Sequence, residues 1–383
     1  MMVSADALTE IFLELTRRPS PSRAERPVAD FVHDFLRGLG LETVEDATAE
    51  AIGGNAGNIV CRVPGSDGGD PAVVLGAHLD TVPIGGDLRP VLEEGVFRNA
   101  AGGILGADDK SAIAALLHAT ALLVASNLPH PSYELLFTVS EETALTGVKH
   151  LDLTGLKSPM GMVLDSAGPV GGITVAAPSQ NTVRATFRGK AAHAGVEPEK
   201  GRSAIWAAGK ALGRMSLGRL DHETTANVGL IRGGTARNIV PEECFVEAET
   251  RSHDDAKLAD ATSALVDALH LGAGEVGTDL QLEVVTEYRR YRLGSRTAVV
   301  RLAKAAAEEV GITPRLQVAG GGADANILNE RGLPTVNLTT GMWGIHSAGE
   351  SLALKDLVKL TELIIEVVRL APAFVSRRGR KAG

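Results

Sequence analysis

Cysteine is almost missing from this chain of 383 residues: only Cys61 and Cys244 occur, far apart and without metal-ligand spacing. Two isolated thiols suit a reducing compartment, and Cys61, inside an apolar run, reads as core packing. A basic excess is missing too. The net charge is −9, which argues against a nucleic-acid partner because that would need a basic face. The one basic cluster, Ser376 to Lys381, reads as a solvated tail. No apolar stretch reaches the ~20 residues needed to cross a bilayer, so no membrane segment is expected. Met1 to Arg17 is amphipathic with acids inside it, not a basic end followed by an apolar block, so no secretory signal is expected. A cytoplasmic protein is the expectation that follows. Internal repeats and low-complexity linkers are also lacking.

What is present is an ordinary globular composition, 44% apolar and 22% charged. The chain exceeds the ~250–300 residues at which single cores stop growing, so more than one domain is expected. Asp6 to Thr16 places Leu8, Ile11, Phe12 and Leu15 on one helical face. Ser22-Arg23-Ala24-Glu25 has the form of a capping box opening a second helix. Asn58 to Val63, Ala72 to Ala77, Glu134 to Val139 and Met160 to Leu164 read as strands, several with the continuous apolar run of a strand buried on both faces. Ser111 to Val124 is an Ala/Leu helix, and Val91 to Arg98 a hairpin turning at Glu94-Gly95. This alternation predicts an α/β fold with helices covering the sheet. From about residue 176 the order changes to β-α-β-β-α-β, a split ferredoxin-like α+β unit ending near Tyr288. From Thr297 the α/β pattern returns. The simplest architecture is one α/β domain interrupted by an inserted small domain, with segments 1–175, 176–288 and 289–383.

Candidate chemistry collects at strand ends, where ligands bind in open α/β sheets. His78 and Asp80 are two residues apart at the end of a buried strand and share a face. They read as a zinc ligand with an acid that orients it, or as a hydrogen-bonded strand-end histidine. Asp108, in Gly106-Ala107-Asp108-Asp109-Lys110, either caps a helix or supplies a bridging carboxylate. Glu141 and Glu142 follow another buried strand. Adjacent acids there are costly unless paired or metal-bound, and one could bind metal while the other takes a proton from water. A solvated turn is the alternative. Asp165 and His346 occupy similar positions, and each alone could be structural. Together they form a mixed set of two histidines and several carboxylates that suits two zinc ions, or cobalt or manganese, and suits haem or iron–sulfur poorly.

These motifs, His78-Leu79-Asp80, Gly106-Ala107-Asp108-Asp109-Lys110, Glu141-Glu142, Asp165 and Gly344-Ile345-His346, resemble the co-catalytic zinc metallopeptidases. Ala107 to Lys110 and the run Glu141 to Lys149 look closest to the peptidase-T-like branch. The resemblance spans nearly the whole chain. It implies a zinc-peptidase-like catalytic domain (1–175 and 289–383) with an inserted dimerisation or lid domain (176–288) and a homodimer. It implies two divalent ions, most naturally Zn2+, one held by His78, Asp108 and Asp165 and the other by Asp108, Glu142 and His346. Asp80 would orient His78, Glu141 would be the general base, and the peptide bond Asp108–Asp109 would be cis. In the inserted domain His193 would come from a partner chain to bind the developing oxyanion, and Asn238 and Arg251 would bind substrate. Without the resemblance His193 reads as a surface-loop residue and Arg251 as an ion-pair donor.

The implied activity is hydrolysis of amide bonds in short peptides, as an aminopeptidase. An N-acyl amino acid deacylase or carboxypeptidase-like amidohydrolase is the alternative with the same chemistry, and a non-catalytic metal-binding protein the alternative of another class. The sequence departs from the branch at Ala319-Gly320-Gly321-Gly322-Ala323-Asp324. Glycine stands there where an arginine grips the peptide carboxylate, which removes the ground for strict tripeptide specificity.

Overall fold

The computed structural model describes residues 2–66, 68–126 and 129–375; the basic cluster Ser376 to Lys381 lies outside them. The chain divides into two units: Met1–Ala176, Arg292–Val318 and Ala323–Gly383 form one, and Ala177–Tyr291 with Ala319–Gly322 form the other.

The first unit is built on a mixed sheet of nine strands. At its centre Tyr133–Thr138, Val74–His78, Gly161–Ser166 and Thr335–Thr339 lie side by side and parallel. Ile59–Val63 flanks them on one side and Gly172–Ala177 on the other, both antiparallel. Every residue of Val74–His78, Tyr133–Thr138 and Thr335–Thr339 is buried, which is why residues 74–77 and 135–137 read as unbroken apolar runs. The helix Ala107–Ala125 carries buried residues around most of its circumference. It packs against Ala5–Thr16, Leu354–Leu370 and the sheet, as a helix that is apolar all round must. Ala5–Thr16 is amphipathic by contrast, burying Leu8, Ile11, Phe12 and Leu15, and its first turn is capped by the Ser4 side chain. A separate four-stranded sheet contains the hairpin Pro90–Glu93 and Val96–Asn99.

One local expectation fails. Ser22 does not cap the helix Arg26–Gly38, which starts from Glu25 with no side-chain cap. The Ser22 hydroxyl donates instead to the Asp80 carboxylate, a charged acceptor 58 residues away that outcompetes the local backbone. Short elements at Thr43–Glu45, Thr48–Ile52 and Thr146–His150 also went unread, being too brief to establish a period, as did the strand Gly172–Ala177.

The second unit is an antiparallel sheet in the order Gly218–Arg219, Thr224–Gly233, Glu243–Ser252, Ser179–Arg188, Asp279–Tyr288. Apart from the two-residue strand this is the expected β-α-β-β-α-β unit. Alternate residues Cys244, Val246, Ala248, Thr250 and Ser252 are buried, the period of a half-covered strand. The helices Ala204–Leu212 and Asp255–Val276 cover that face. They approach so closely that a Cβ at Gly272 would lie 2.6 Å from the Ala207 carbonyl oxygen, so only glycine fits. No described helix is long and apolar enough to cross a membrane.

Candidate metal centre

The parallel strands of the first unit deliver their carboxyl ends to one place. His78 ends one strand; Glu141 and Glu142 follow Tyr133–Thr138; Asp165 lies near the end of Gly161–Ser166. His346 lies in the loop after Met342–Trp343, and Asp108 in the first turn of Ala107–Ala125. That turn departs from helical geometry at Asp108 and Asp109, and the peptide bond between them is cis, as the resemblance implies.

The donor atoms converge. His78 Nε2 lies 3.2 Å from Asp108 Oδ1 and 3.8 Å from Asp165 Oδ1. On the other side of Asp108, its Oδ2 is 3.3 Å from His346 Nε2, which is 2.9 Å from Glu142 Oε1. Ligand atoms of His78, Asp108 and Asp165 all fall within 4.8 Å of one another, as do those of Asp108, Glu142 and His346. Asp108 belongs to both groups. A third grouping, His78 with Glu141 and Glu142, meets the same limit, so Glu141 sits at the rim of the cluster. The far nitrogen of His78, Nδ1, is 2.9 Å from the Asp80 carbonyl oxygen and 3.3 Å from its Oδ1.

Electrostatics agree with a cation-binding role. Burial and the neighbouring Asp108 push Asp165 up to about 7. Burial, then the charge of Asp165, holds Glu141 well above the usual carboxylate range. Burial also acts on Asp108, but hydrogen bonds from His346 and His78 outweigh it and hold that carboxyl below its ordinary value. His346 is raised to about 10 by its bonds to Asp108 and Glu142. For His78 burial works downward, yet Asp108, Asp165 and Asp80 carry it well above the ordinary imidazole value. Four carboxylates therefore crowd around two imidazoles in a largely water-excluded space. That hard, mixed N/O donor set with one shared carboxylate fits two divalent cations of the zinc, cobalt or manganese type.

Several supporting residues escaped the sequence reading. Glu350 is buried and accepts backbone N–H groups from Leu105, Gly106 and Asp108 at 2.7–3.0 Å. Asp109 Oδ2 accepts the backbone N–H of His78. Lys110 is buried, donates to the Arg18 carbonyl oxygen, and is pulled down to about 7 by burial. Asp324, buried, accepts from the Thr138 hydroxyl. Asp109 and Lys110 could have been flagged by adjacency to Asp108; Glu350 carried no local signal, being 242 residues from Asp108.

His193, Asn238 and Arg251 belong to the second unit. The structure joins the segments of the first two: Ala194 N–H donates to the Asn238 carbonyl oxygen, Val240 N–H to that of Ala192, and His193 bridges Ile239. His193 and Asn238 are exposed. Arg251 stands apart in a fork with Glu249, at 3.0 and 2.9 Å, and a Cβ at Gly321 would be 3.3 Å from its Nη1.

Comparison with known proteins adds three kinds of likeness. The family model of the M20 peptidase dimerisation domain matches residues 177–275. The Bacillus subtilis (strain 168) protein YqjE is 40% identical, over 97% of this chain and 100% of its own. Two crystal structures superpose over 97% of this chain and 100% of theirs: aminopeptidase PepT from Bacillus cereus ATCC 10987, 39% identical with a TM-score of 0.83, and a tripeptidase from Staphylococcus aureus subsp. aureus Mu50, 33% identical with a TM-score of 0.88.

Proposed function

The chain belongs to the M20 peptidase family, as a peptidase-T-like metallopeptidase, and from that premise we propose that it is a di-zinc aminopeptidase cleaving short peptides. The observation that carries the proposal is Asp108, shared between two groups of donors, with the buried Glu141 carboxylate beside both. One ion would be held by His78, Asp108 and Asp165, the other by Asp108, Glu142 and His346. The ions would supply Lewis acidity, polarising water and the scissile carbonyl.

The chain's own residues do the rest. Glu141 takes a proton from the attacking water as its oxygen bonds to the carbonyl carbon. It returns that proton to the amine nitrogen as the C–N bond breaks, leaving a carboxylic acid and an amine, which at neutral pH become a carboxylate and an ammonium. Asp80 fixes the His78 ring through its carbonyl and carboxylate oxygens and accepts the backbone N–H groups of Glu141 and Glu142. His193 of a second chain is the proposed oxyanion donor, with Asn238 and Arg251 as substrate contacts in a homodimer. Two buried free thiols, Cys61 and Cys244, are compatible with a reducing, cytoplasmic setting.

The proposal predicts that Glu141→Gln retains zinc, measured by atomic absorption, and loses about 10²–10⁴-fold in kcat on di- and tripeptides. Near-normal turnover would remove Glu141 from the role of base. Assayed beside their N-acetylated forms, only peptides with a free amino terminus should be cut. Gly320, where an arginine would grip a peptide carboxylate, removes the ground for strict tripeptide specificity, and the deacylase or carboxypeptidase-like reading is the alternative with the same chemistry. Cleavage of blocked substrates alone would select it.

A further inference from the structure

The side chains of the turn Ser22 to Glu25 do not cap the helix that follows. They reach the loop that carries Glu141. Glu25 is wholly buried. Its Oε1 accepts the Ser140 backbone N–H at 3.0 Å, the Ser140 hydroxyl at 3.0 Å and the Arg23 backbone N–H at 2.7 Å. Arg23 N–H also reaches Ser140 Oγ, at 3.1 Å. Alongside, Asp80 accepts the backbone N–H groups of Glu141 at 2.9 Å and Glu142 at 3.1 Å, and the Ser22 hydroxyl at 2.6 Å. Three consecutive N–H groups, from Ser140 to Glu142, thus end on two buried carboxylates, and the turn Ser22 to Glu25 ties those carboxylates together.

Ser140 has φ +51° and Arg23 has φ +72°. Residues with a Cβ avoid this left-handed region unless their surroundings impose it. Ser140 is the residue at which the chain leaves the strand Tyr133–Thr138 and swings the two glutamates toward the donor cluster. An extended Ser140 would send the following side chains along the strand direction instead.

Resting on the reading of Glu141 as base, we propose that Glu25 is a positioning residue that acts through Ser140. Its carboxylate holds Ser140 in the left-handed conformation and so sets where the Glu141 carboxylate lies. Glu25 belongs to none of the groups of donors among the described residues that could hold a metal ion. Misplacement of a catalytic group by about 1 Å can cost on the order of 10²-fold in rate, so the effect belongs in kcat.

The test uses the zinc-loaded protein and a peptide that the wild type cleaves. Glu25→Ala is expected to lower kcat roughly 10–100-fold while KM and bound zinc per chain stay at the wild-type level. Glu25→Gln, which keeps the accepting oxygen, is expected to recover most of that loss. If Glu25→Ala does not fold, Ser140→Ala replaces it, removing only the hydroxyl; a smaller loss confined to kcat is then expected, and none would overturn the proposal. Glu25→Ala with kcat within twofold of wild type would also overturn it, as would a loss of zinc in proportion to the loss of activity. Glu141→Gln runs beside these variants. If it is inactive while Glu25→Ala is not, only the role of Glu25 falls; if it turns over normally, the base assignment fails and the proposal with it.

Discussion

His118, on the inner side of the helix Ala107–Ala125, shows how burial sets the charge state of a residue. It is 5% exposed, and its Nε2 accepts the backbone N–H of Ser4 at 3.2 Å. Burial lowers its pKa below the ordinary imidazole value. Between the lowered value and ~6.5 the unfolded chain therefore binds more protons than the folded one, and stability falls as pH drops through that window. Denaturant unfolding at pH 7.5 and pH 5.5 should show this loss. In His118→Gln, which keeps an acceptor but cannot titrate, the loss should be smaller; an identical pH dependence would remove His118 as its source. At this scale the sequence was readable but ambiguous. His78 could be a hydrogen-bonded strand end and Asp108 a helix cap. In the structure Gly106, not Asp108, precedes the helix, and the Asp108 carboxylate faces two imidazoles.

At the scale of elements, the start of the helix Ala107–Ala125 is closed by a residue from far along the chain. Glu350 accepts the N–H groups of Leu105 and Gly106, just before the helix, and of Asp108 in its first turn, where a helix start leaves its N–H groups without partners. Glu350→Ala strands these groups in a buried site and should cost about 2–4 kcal/mol in urea unfolding. A change under about 0.5 kcal/mol, the range of an ordinary surface substitution, would mean that water replaces the carboxylate. Elements such as Ala5–Thr16 and Val74–His78 were legible because burial imprints a period or an unbroken apolar run on their residues. The turn Ser22 to Glu25 was misread because a local motif cannot reveal that its hydroxyl and carboxylate have acceptors and donors far away in sequence.

At the scale of the whole molecule, the second unit carries the match to a peptidase dimerisation domain and holds His193 on an exposed loop joined to that of Asn238. If His193 acts on the site of a second chain, His193→Ala and Glu141→Gln should each be inactive alone and complement each other when mixed. Random exchange in a twofold dimer leaves about a quarter of the sites with both groups intact. Activity near that fraction after subunit exchange is the expected result; none, with exchange verified by mass spectrometry, would place His193 outside the partner's site.

The sequence by itself determined the α/β pattern, the ferredoxin-like order of the second unit and the types of donor at the strand ends. Each of these is written in local periodicity or in residues adjacent to a recognisable strand. Only the tertiary structure decided between Asp108 as a helix cap and Asp108 as the carboxylate common to two donor groups, and showed that Glu350 closes the helix bearing it and that Glu25 and Asp80 together hold the loop of Glu141. Those relations join residues from 30 to more than 240 positions apart, and a buried carboxylate accepts whichever N–H groups the fold brings to it, so nothing in its neighbouring residues records the partner.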